Sequence, residues 1–193
     1  GLGDVYKRQL STLVSNILMI TKIENQTMPF ALSSYRVDEQ VRQSILLLEN
    51  KWSEKNIGFE MDMDSIEFCA VEGLLGNVWS NLIDNAIKFS PEGEIIYISL
   101  KEKDDMLSFK IANRGEPMSG ETLKRIFEKF YQGDTSHKRE GNGLGLALVK
   151  KIVRVHGGSV SAVNTEDGLI EFTVNLPAKR SCERYLSLIH ISE

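Results

Sequence analysis

The sequence predicts an α+β fold, a two-layer α/β sandwich with helices on one face of a mixed sheet, preceded by a coiled-coil-like helix. Apolar stripes of helical spacing are interleaved with short runs in which apolar and polar residues alternate. The 193 residues, 41% hydrophobic and 26% charged, can bury one sizeable core. The net charge of -4 argues against nucleic-acid binding by broad electrostatic attraction, so we expect a small ligand or a protein partner.

The first predicted element is a helix that starts at Leu10. Leu10, Leu13, Ile17 and Ile20 are spaced as in the a and d positions of a coiled coil, a pattern that requires a partner helix. Pro29 marks the boundary to the next unit, because proline interrupts a helix.

A second helix is predicted to begin with Asp38 at its N-cap and to end near Lys55. Its apolar stripe consists of Val37, Val41, Ile45, Leu48 and Trp52. Two short strands are predicted to follow, at 58–63 and 67–71.

The third predicted helix, at about 72–89, carries an unusual polar stripe of Asn77, Asn81, Asn85 and Lys88. Polar stripes are usually solvated, but asparagine is a mediocre helix former that gains nothing in solvent over Glu or Lys. Amide oxygens suit Mg²⁺ as hard ligands, and a lysine suits phosphate. We therefore favour a ligand site over a solvated face.

Two strands are predicted at 94–100 and 106–113. The second ends its apolar row of alternating residues with Asn113, and Gly115 follows. A buried amide must find hydrogen-bond partners, and the glycine lets the chain turn tightly around them. The alternative is an ordinary Asn-Arg-Gly turn at the end of a strand.

The remaining elements surround a glycine-rich segment. A helix is predicted at 121–130 and strands at 159–163 and 169–176. A further helix, between 130 and 159, is predicted to bury Leu148, Val149, Ile152 and Val153. "GNGLGLALVK" at 141–150 places glycines directly before that helix, whose N-terminus attracts anions such as phosphate. A plain turn is the alternative.

Four segments, in order, resemble the N, G1, F and G2 boxes of the ATP-binding catalytic domain of bacterial sensor histidine kinases. They are "NLIDNAIKFS", "NRGEP", "FEKF" and "GNGLGLALVKKIVRVHGG". The resemblance covers roughly 30–177 and implies the Bergerat ATP-binding fold. It implies transfer of the γ-phosphoryl group of ATP to a histidine, with ATP and Mg²⁺ as cofactors.

The resemblance also implies roles for individual residues. Asn85 would bind Mg²⁺ with help from Asn81, Lys88 would reach a phosphate, and Asn81 and Lys88 would serve catalysis. Asn113 would accept from the adenine amino group. The residues implied in nucleotide binding are Asn85, Lys88, Phe89, Asn113, Gly115, Met118, Gly141, Gly143, Leu144 and Gly145. The glycines would belong to a lid over the phosphates, and residues 132–142 are expected to be mobile without nucleotide.

"LVSNILMITKIE" is similar to the second helix of the family's dimerisation and histidine-phosphotransfer hairpin. We therefore expect a partial hairpin at 10–28 and the catalytic domain at 29–178. "GLGDVYKRQ" and "CERYLSLIHISE" at the two ends resemble translated sequencing-adapter readthrough, so we expect a non-native terminus at 1–9 and a non-native or disordered tail at 179–193, with ordinary flexible termini as the alternative. The implied partners are the histidine-phosphotransfer domain of the same protein, a response regulator and a second copy in a homodimer, with no nucleic acid. The implied location is the cytoplasmic domain of a membrane-anchored bacterial sensor.

The sequence departs from the family at three site positions. Asn113 stands where Asp is usual, Glu116 replaces a glycine, and Gln132 replaces a common arginine. Lys138 or Arg139 could substitute for that arginine.

None of the histidines, His137, His156 and His190, lies in a phosphoacceptor context. We therefore expect the catalytic half of a kinase without its acceptor. Two alternatives stay open. One is a related ATP hydrolase, although Asn81 occupies the position of the hydrolase glutamate base. The other is a nucleotide-gated interaction module that transfers nothing.

Overall fold

The computed structural model describes residues 1–27, 31–132 and 143–178. The helices are α1 (Leu2–Glu24), α2 (Val37–Leu46), α3 (Glu49–Glu54), α4 (Glu72–Phe89), α5 (Gly120–Arg125) and α6 (Gly145–Val155). The strands are β1 (Ser33–Arg36), β2 (Gly58–Met63), β3 (Glu67–Ala70), β4 (Ile95–Lys103), β5 (Met106–Arg114), β6 (Ser159–Asn164) and β7 (Leu169–Pro177).

A mixed sheet of five strands, in the order β2-β4-β5-β7-β6, forms one layer. β2 pairs with β4 in parallel, and the other neighbours are antiparallel. β4 and β5 are joined by a two-residue turn at Asp104 and Asp105, both with positive φ, which suits a tight hairpin. β1 and β3 form a separate antiparallel pair.

α4 and α6 pack on the sheet and on each other. The ring of Trp79 in α4 lies 4.7 Å from that of Phe109 in β5, centroid to centroid, and both side chains are fully buried. The predicted stripe of α6 is buried as well. The structure therefore confirms the predicted α+β sandwich.

The predicted helix from Asp38 to Lys55 is wrong in two respects. It is interrupted between α2 and α3, where the indole Nε1 of Trp52 donates to the carbonyl of Ile45 at 2.9 Å. The N-cap is Arg36, and Asp38 lies inside the first turn of α2.

Asp38 is buried because it accepts hydrogen bonds from several partners instead of capping the helix. Arg36 donates from Nε (2.8 Å) and Nη2 (2.7 Å), Arg42 donates from Nη1 (2.7 Å), and the backbone N–H of Ile66 donates at 3.1 Å. The Arg36 guanidinium is the main reason that the pKa of Asp38 lies far below its ordinary value. α2 is thereby fastened to the segment before β3.

Other boundaries also differ from the prediction. α1 begins at Leu2 rather than Leu10, and α5 is shorter than the predicted helix at 121–130. β1 was not predicted, because its four residues form a strand only against β3. Within the described ranges, no helix is long and apolar enough to cross a membrane.

The end of α1 docks onto the rest of the fold. Ile20 and Ile23 are buried, and Glu24 accepts from Nζ of Lys129 and of Lys151, each at 2.7 Å. Hydrogen bonds from these two lysines, first Lys129 and then Lys151, lower the pKa of Glu24 to about 2. In contrast, Leu10 and Ile17 of the coiled-coil face are exposed, and Leu13 is half-buried.

Candidate functional site

The asparagine stripe of α4 lies against the start of α6. Asn77 donates from Nδ2 to the carbonyl of Gly73 at 2.9 Å, and Asn81 donates to the carbonyl of Asn77 at 2.7 Å. The Oδ1 atom of Asn81 lies on the α6 side, because a Cβ placed on Gly145 would be 2.6 Å from it. Asn85 is half-buried one turn further along α4. This stripe borders a helix terminus instead of facing open solvent.

The N-terminus of α6 has the features of an anion site. The helix has eleven residues, its N-cap is the buried Leu144, and no acidic residue lies in its first turn. The first N–H groups of a helix have no intrahelical partners and lie at its positive end. The start of α6 can therefore accept a negatively charged group beside Asn81.

Gly143, just before α6, lies on the backbone of Phe130. The Phe130 N–H donates to the carbonyl of Gly143 at 2.9 Å. Gly143 has a φ of +68°, and a Cβ there would lie 2.7 to 2.9 Å from backbone atoms of Phe130 and Tyr131. Only glycine fits this position without a shift of the chain. Residues 133–142, which include Gly141, His137, Lys138 and Arg139, lie outside the described residues.

The C-terminal end of α4 carries Lys88 and Phe89. The Nζ atom of Lys88 is 5.4 Å from the centroid of the Phe89 ring. Lys55, from the turn after α3, donates from Nζ to the carbonyls of Ile87 (2.8 Å), Lys88 (3.0 Å) and Ser90 (2.7 Å). A cation at this position complements the negative end of the helix.

Asn113 is near the end of β5, and Gly115 directly follows the strand, opposite the end of α4. Asn113 is buried, and its Nδ2 donates to the carbonyl of Arg114 at 3.0 Å, so Oδ1 is the atom that can accept from a ligand. A Cβ on Gly115 would lie 3.2 Å from Ile170 and 3.4 Å from the carbonyl oxygen of Phe89. The two segments are therefore in close contact, which explains the glycine.

A shallow, open cleft of about 490 Å³ lies between the end of α4 and the segment that follows β5. It is lined by Phe89, Ser90, Pro91, Arg114, Gly115, Glu116 and Pro117. The Oγ atom of Ser90 is buried and has no hydrogen-bond partner in the described part of the chain. Met118 lies next to this lining, where its backbone N–H and C=O exchange hydrogen bonds of 3.0 and 2.8 Å with the side chain of Asn164.

The structure thus gathers the predicted site residues into two neighbouring groups. Asn81, Gly143, Leu144 and Gly145 lie at the start of α6. Phe89, Asn113 and Gly115 lie together at the cleft, and Nζ of Lys88 is 5.4 Å from the Phe89 ring. Asn85 lies between the groups on α4. Among the described residues, no group of three or more His, Cys, Asp or Glu could hold a metal, so a cation here would depend on amide oxygens.

His156 is buried at the C-terminal end of α6. Its Nε2 accepts from the backbone N–H of Val71 at 3.2 Å, and its Nδ1 lies 2.8 Å from the carbonyl of Ile152. A neutral ring with the proton on Nδ1 satisfies both contacts. Both ring nitrogens are therefore occupied by structural hydrogen bonds.

Sequence reasoning missed Lys55 and Asn164, and it quoted "FEKF" without predicting the contact of Phe130 with Gly143. Their contacts join residues far apart in sequence or involve only backbone atoms. Nothing in the residues around Lys55 and Asn164 distinguishes them from ordinary surface or loop positions.

Comparisons with known proteins place this geometry in a family. The pattern of the histidine kinase-, DNA gyrase B-, and HSP90-like ATPases matches residues 70–180. The heme sensor protein HssS of Staphylococcus aureus (strain JH9) is 32% identical over 178 residues, which cover 91% of this chain and 38% of that protein. The chain therefore spans well under half the length of this curated relative.

Two solved structures are similar to the chain. The catalytic domain of histidine kinase ThkA is 27% identical, with a TM-score of 0.70 over 77% of this chain and 96% of that domain. Histidine kinase AdeS of Acinetobacter baumannii has a TM-score of 0.77 over 93% of this chain and 82% of its own. Its identity of 23% bears on the fold alone.

Proposed function

Because the chain belongs to the family of histidine kinase-, DNA gyrase B-, and HSP90-like ATPases, we propose that it catalyses ATP-dependent phosphorylation of a histidine in a bacterial two-component sensor kinase. The acceptor histidine would belong to the phosphotransfer domain of the same protein. The observation that carries the proposal is the asparagine stripe of α4 against the N-terminus of α6. It brings together amide oxygens, which can bind a cation, and helix N–H groups, which can bind the phosphates of a nucleoside triphosphate.

The donor atoms fit a magnesium ion. Hydrogen bonding within α4 engages Nδ2 of Asn81, so Oδ1 is the atom that can bind a cation. We propose that Asn85 holds Mg²⁺, that Asn81 assists it, and that Lys88 binds a phosphate. Magnesium, when bound, supplies positive charge that neutralises the phosphate oxygens.

The cleft at the end of α4 would take the adenine. Phe89 would lie against the base, and Oδ1 of the buried Asn113 would accept from its amino group. Gly115 and Met118 would shape the opposite side. Because Asn113 is neutral where a carboxylate is usual in the family, we expect weaker adenine binding than an aspartate would give.

The phosphates would lie at the start of α6, where the backbone of Gly143, Leu144 and Gly145 can approach them. Gly141 is part of the same proposal but lies outside the described residues. The domain would act chiefly by positioning and electrostatics, because it binds the nucleotide and orients the γ-phosphoryl group for in-line attack by the acceptor histidine. His156 is unsuited to that role, since both of its ring nitrogens are hydrogen-bonded and it is buried.

The hydrolase alternative is less well supported. A hydrolase needs a base that takes a proton from water, and the amide of Asn81 cannot do so. The interaction-module alternative draws on the exposed apolar face of α1, which includes Leu10 (55% exposed) and Ile17 (41% exposed). We propose that a hairpin partner helix and a second copy cover this face in the whole protein. A response regulator would then receive the phosphoryl group.

We also propose that the domain works on the cytoplasmic side of a membrane-anchored sensor. The curated relative HssS is named as a sensor protein and is much longer than the matched segment. The residue division proposed from sequence, with a partial hairpin at 10–28 and a catalytic domain at 29–178, fits this arrangement.

Asn85→Ala is expected to weaken Mg²⁺-dependent ATP binding by about tenfold or more, because a direct ligand to the cation is lost. Calorimetry with and without Mg²⁺ measures the effect, and we expect micromolar to sub-millimolar affinity for the unaltered chain. Asn77→Ala is the matched control, since Asn77 lies on the same stripe and bonds to the carbonyl of Gly73. Equal binding by Asn85→Ala and the unaltered chain would refute the metal assignment.

The chain alone is expected to bind ATP but to show neither autophosphorylation nor substantial ATP turnover. Mixing it with a separate histidine-phosphotransfer domain and labelled ATP should produce an acid-labile phosphohistidine on that domain. The same domain with its histidine replaced by alanine is the control. Acid-labile label on the chain itself would contradict the missing-acceptor interpretation, and strong phosphate release would favour the hydrolase.

A further inference from the structure

Lys55 lies in the turn between α3 and β2, and its ammonium group donates three hydrogen bonds. The three hydrogen bonds from Nζ end on the carbonyls of Ile87, Lys88 and Ser90, at 2.8, 3.0 and 2.7 Å. An ammonium has three donors, so its bonding capacity is matched. The carbonyl of Lys55 in turn accepts from the N–H of Gly93 at 2.9 Å. Lys55 is therefore tied to the chain on both sides of the end of α4.

The end of α4 needs such a partner. The last carbonyls of a helix have no intrahelical donors and form its negative end. Ser90 leaves the helix abruptly, in an extended conformation with φ −67° and ψ 138°, just before Pro91. The Ser90 N–H makes the last helical bond, to the carbonyl of Ala86 at 3.0 Å. Without the Lys55 side chain, this end of α4 would lose three hydrogen bonds to its carbonyls.

The turn that Lys55 holds is also one wall of the cleft. This turn carries Lys88 and Phe89. The carbonyl oxygen of Phe89 lies close to Gly115 on the opposite wall. A small shift of this turn would change where the Lys88 and Phe89 side chains point. Misplacement of binding groups by about 1 Å can cost orders of magnitude in function.

We propose that Lys55 is a positioning residue for nucleotide binding, which acts by fixing the last turn of α4. The inference rests on the proposed function, because it assumes that Lys88 and Phe89 contact ATP. Lys55 itself contacts backbone carbonyls and needs no contact with the nucleotide.

Lys51 supplies a matched control on the neighbouring helix α3. Its Nζ is 2.6 Å from Oδ1 of Asp84, so it also joins α3 to α4, but through an exposed ion pair away from the helix end. Lys51→Met therefore removes a lysine bridge between the same two helices. Lys55→Met removes the bridge at the exit of α4, and Lys55→Arg restores a cation with several donors.

The experiment measures ATP affinity by calorimetry and the exchange rate of the Ser90 amide by NMR, at a temperature at which circular dichroism shows each variant folded. Lys55→Met should bind ATP about tenfold more weakly and exchange the Ser90 amide faster, since the exit of α4 is loosened. Lys51→Met should stay within about twofold of the unaltered chain, because exposed ion pairs contribute little. Lys55→Arg should recover part of the affinity.

The outcomes separate this inference from the proposed function. If the unaltered chain and Lys55→Met bind ATP equally, the positioning role is refuted and the proposed function stands. If Lys51→Met loses as much affinity as Lys55→Met, the effect is general loosening of α3 and the positioning role is again refuted. If the unaltered chain binds no ATP, the proposed function fails. Should Lys55→Met not fold, Lys55→Gln, which keeps an amide donor, takes its place under the same criteria.

Discussion

Asp38→Ala is expected to destabilise the fold by about 2–3 kcal/mol, because it leaves the buried N–H of Ile66 without an acceptor and removes the partner of two arginines. The side chain of Asp38 is only 1% exposed. The cost stays below that of a fully buried ion pair because Arg36 and Arg42 are 47% and 38% exposed and can be hydrated. Denaturant unfolding at neutral pH measures the change.

The same residue predicts a pH dependence of stability. The pKa of Asp38 is lowered in the folded state, chiefly by Arg36. Its stabilising contribution is therefore complete above the unfolded-state pKa of about 3.9 and is lost as the pH falls below that value. Asp38→Ala should show a flatter loss of stability on acidification than the unaltered chain.

Asp84→Ala is the control for both measurements. Asp84 is 41% exposed and pairs with Lys51, so its removal should change stability by less than about 1 kcal/mol. If Asp38→Ala were no more destabilised than Asp84→Ala, the conclusion that Asp38 attaches α2 to the segment before β3 would be wrong.

Gly143→Ala is expected to reduce ATP affinity by more than about tenfold, since the start of α6 could no longer keep its place. A Cβ would lie 2.7 Å from the carbonyl carbon of Phe130, and the φ of +68° would cost a non-glycine residue about 1–2 kcal/mol. The chain would have to move away from Phe130, and the N–H to C=O bond between these residues would break. Calorimetry with ATP, alongside thermal unfolding, measures both consequences.

Gly120→Ala separates this effect from a general response to loss of glycine. Gly120 opens α5, and a methyl group on its Cα would have no neighbouring atom within 4 Å, so alanine should be tolerated there. Gly143→Ala and Gly120→Ala proteins with the same ATP affinity would show that the contact with Phe130 has no part in binding.

The elements that agree best with the sequence prediction are those whose amphipathic pattern settles their boundaries locally. α4 has the predicted bounds, Glu72–Phe89, because its apolar face is continuous and every residue of that face is buried. β2 also has the predicted bounds, and the β4–β5 hairpin has the predicted turn region. In these elements local preference and tertiary packing agree.

Predictions were wrong where specific side-chain contacts, which residue type and periodicity do not reveal, decide the local structure. Asp38 looks like an N-cap by residue type, but arginines on both sides and the N–H of Ile66 draw it into the interior. The apolar stripe from Val37 to Trp52 continues across the break between α2 and α3, so periodicity alone could not reveal the break.

The candidate site was predicted in part. The sequence indicated the Asn81, Asn113 and Gly143 positions, because unusual residue types marked them, and the structure brings them to the two neighbouring groups. Their roles toward ATP and Mg²⁺ stay predictions. Lys55 carries no such mark, because what distinguishes it is three carbonyl groups more than thirty positions away along the chain.

The mixed pairing of the sheet has a consequence for the order of folding. β4 and β5 are joined by a two-residue turn, whereas β2 is separated from its partner β4 by β3 and α4 in the chain. Closing that longer loop costs entropy before the parallel contacts form, so the β4–β5 hairpin should nucleate the fold and β2 should join it late. Substitutions in the hairpin should then slow folding, and substitutions in β2 should chiefly speed unfolding.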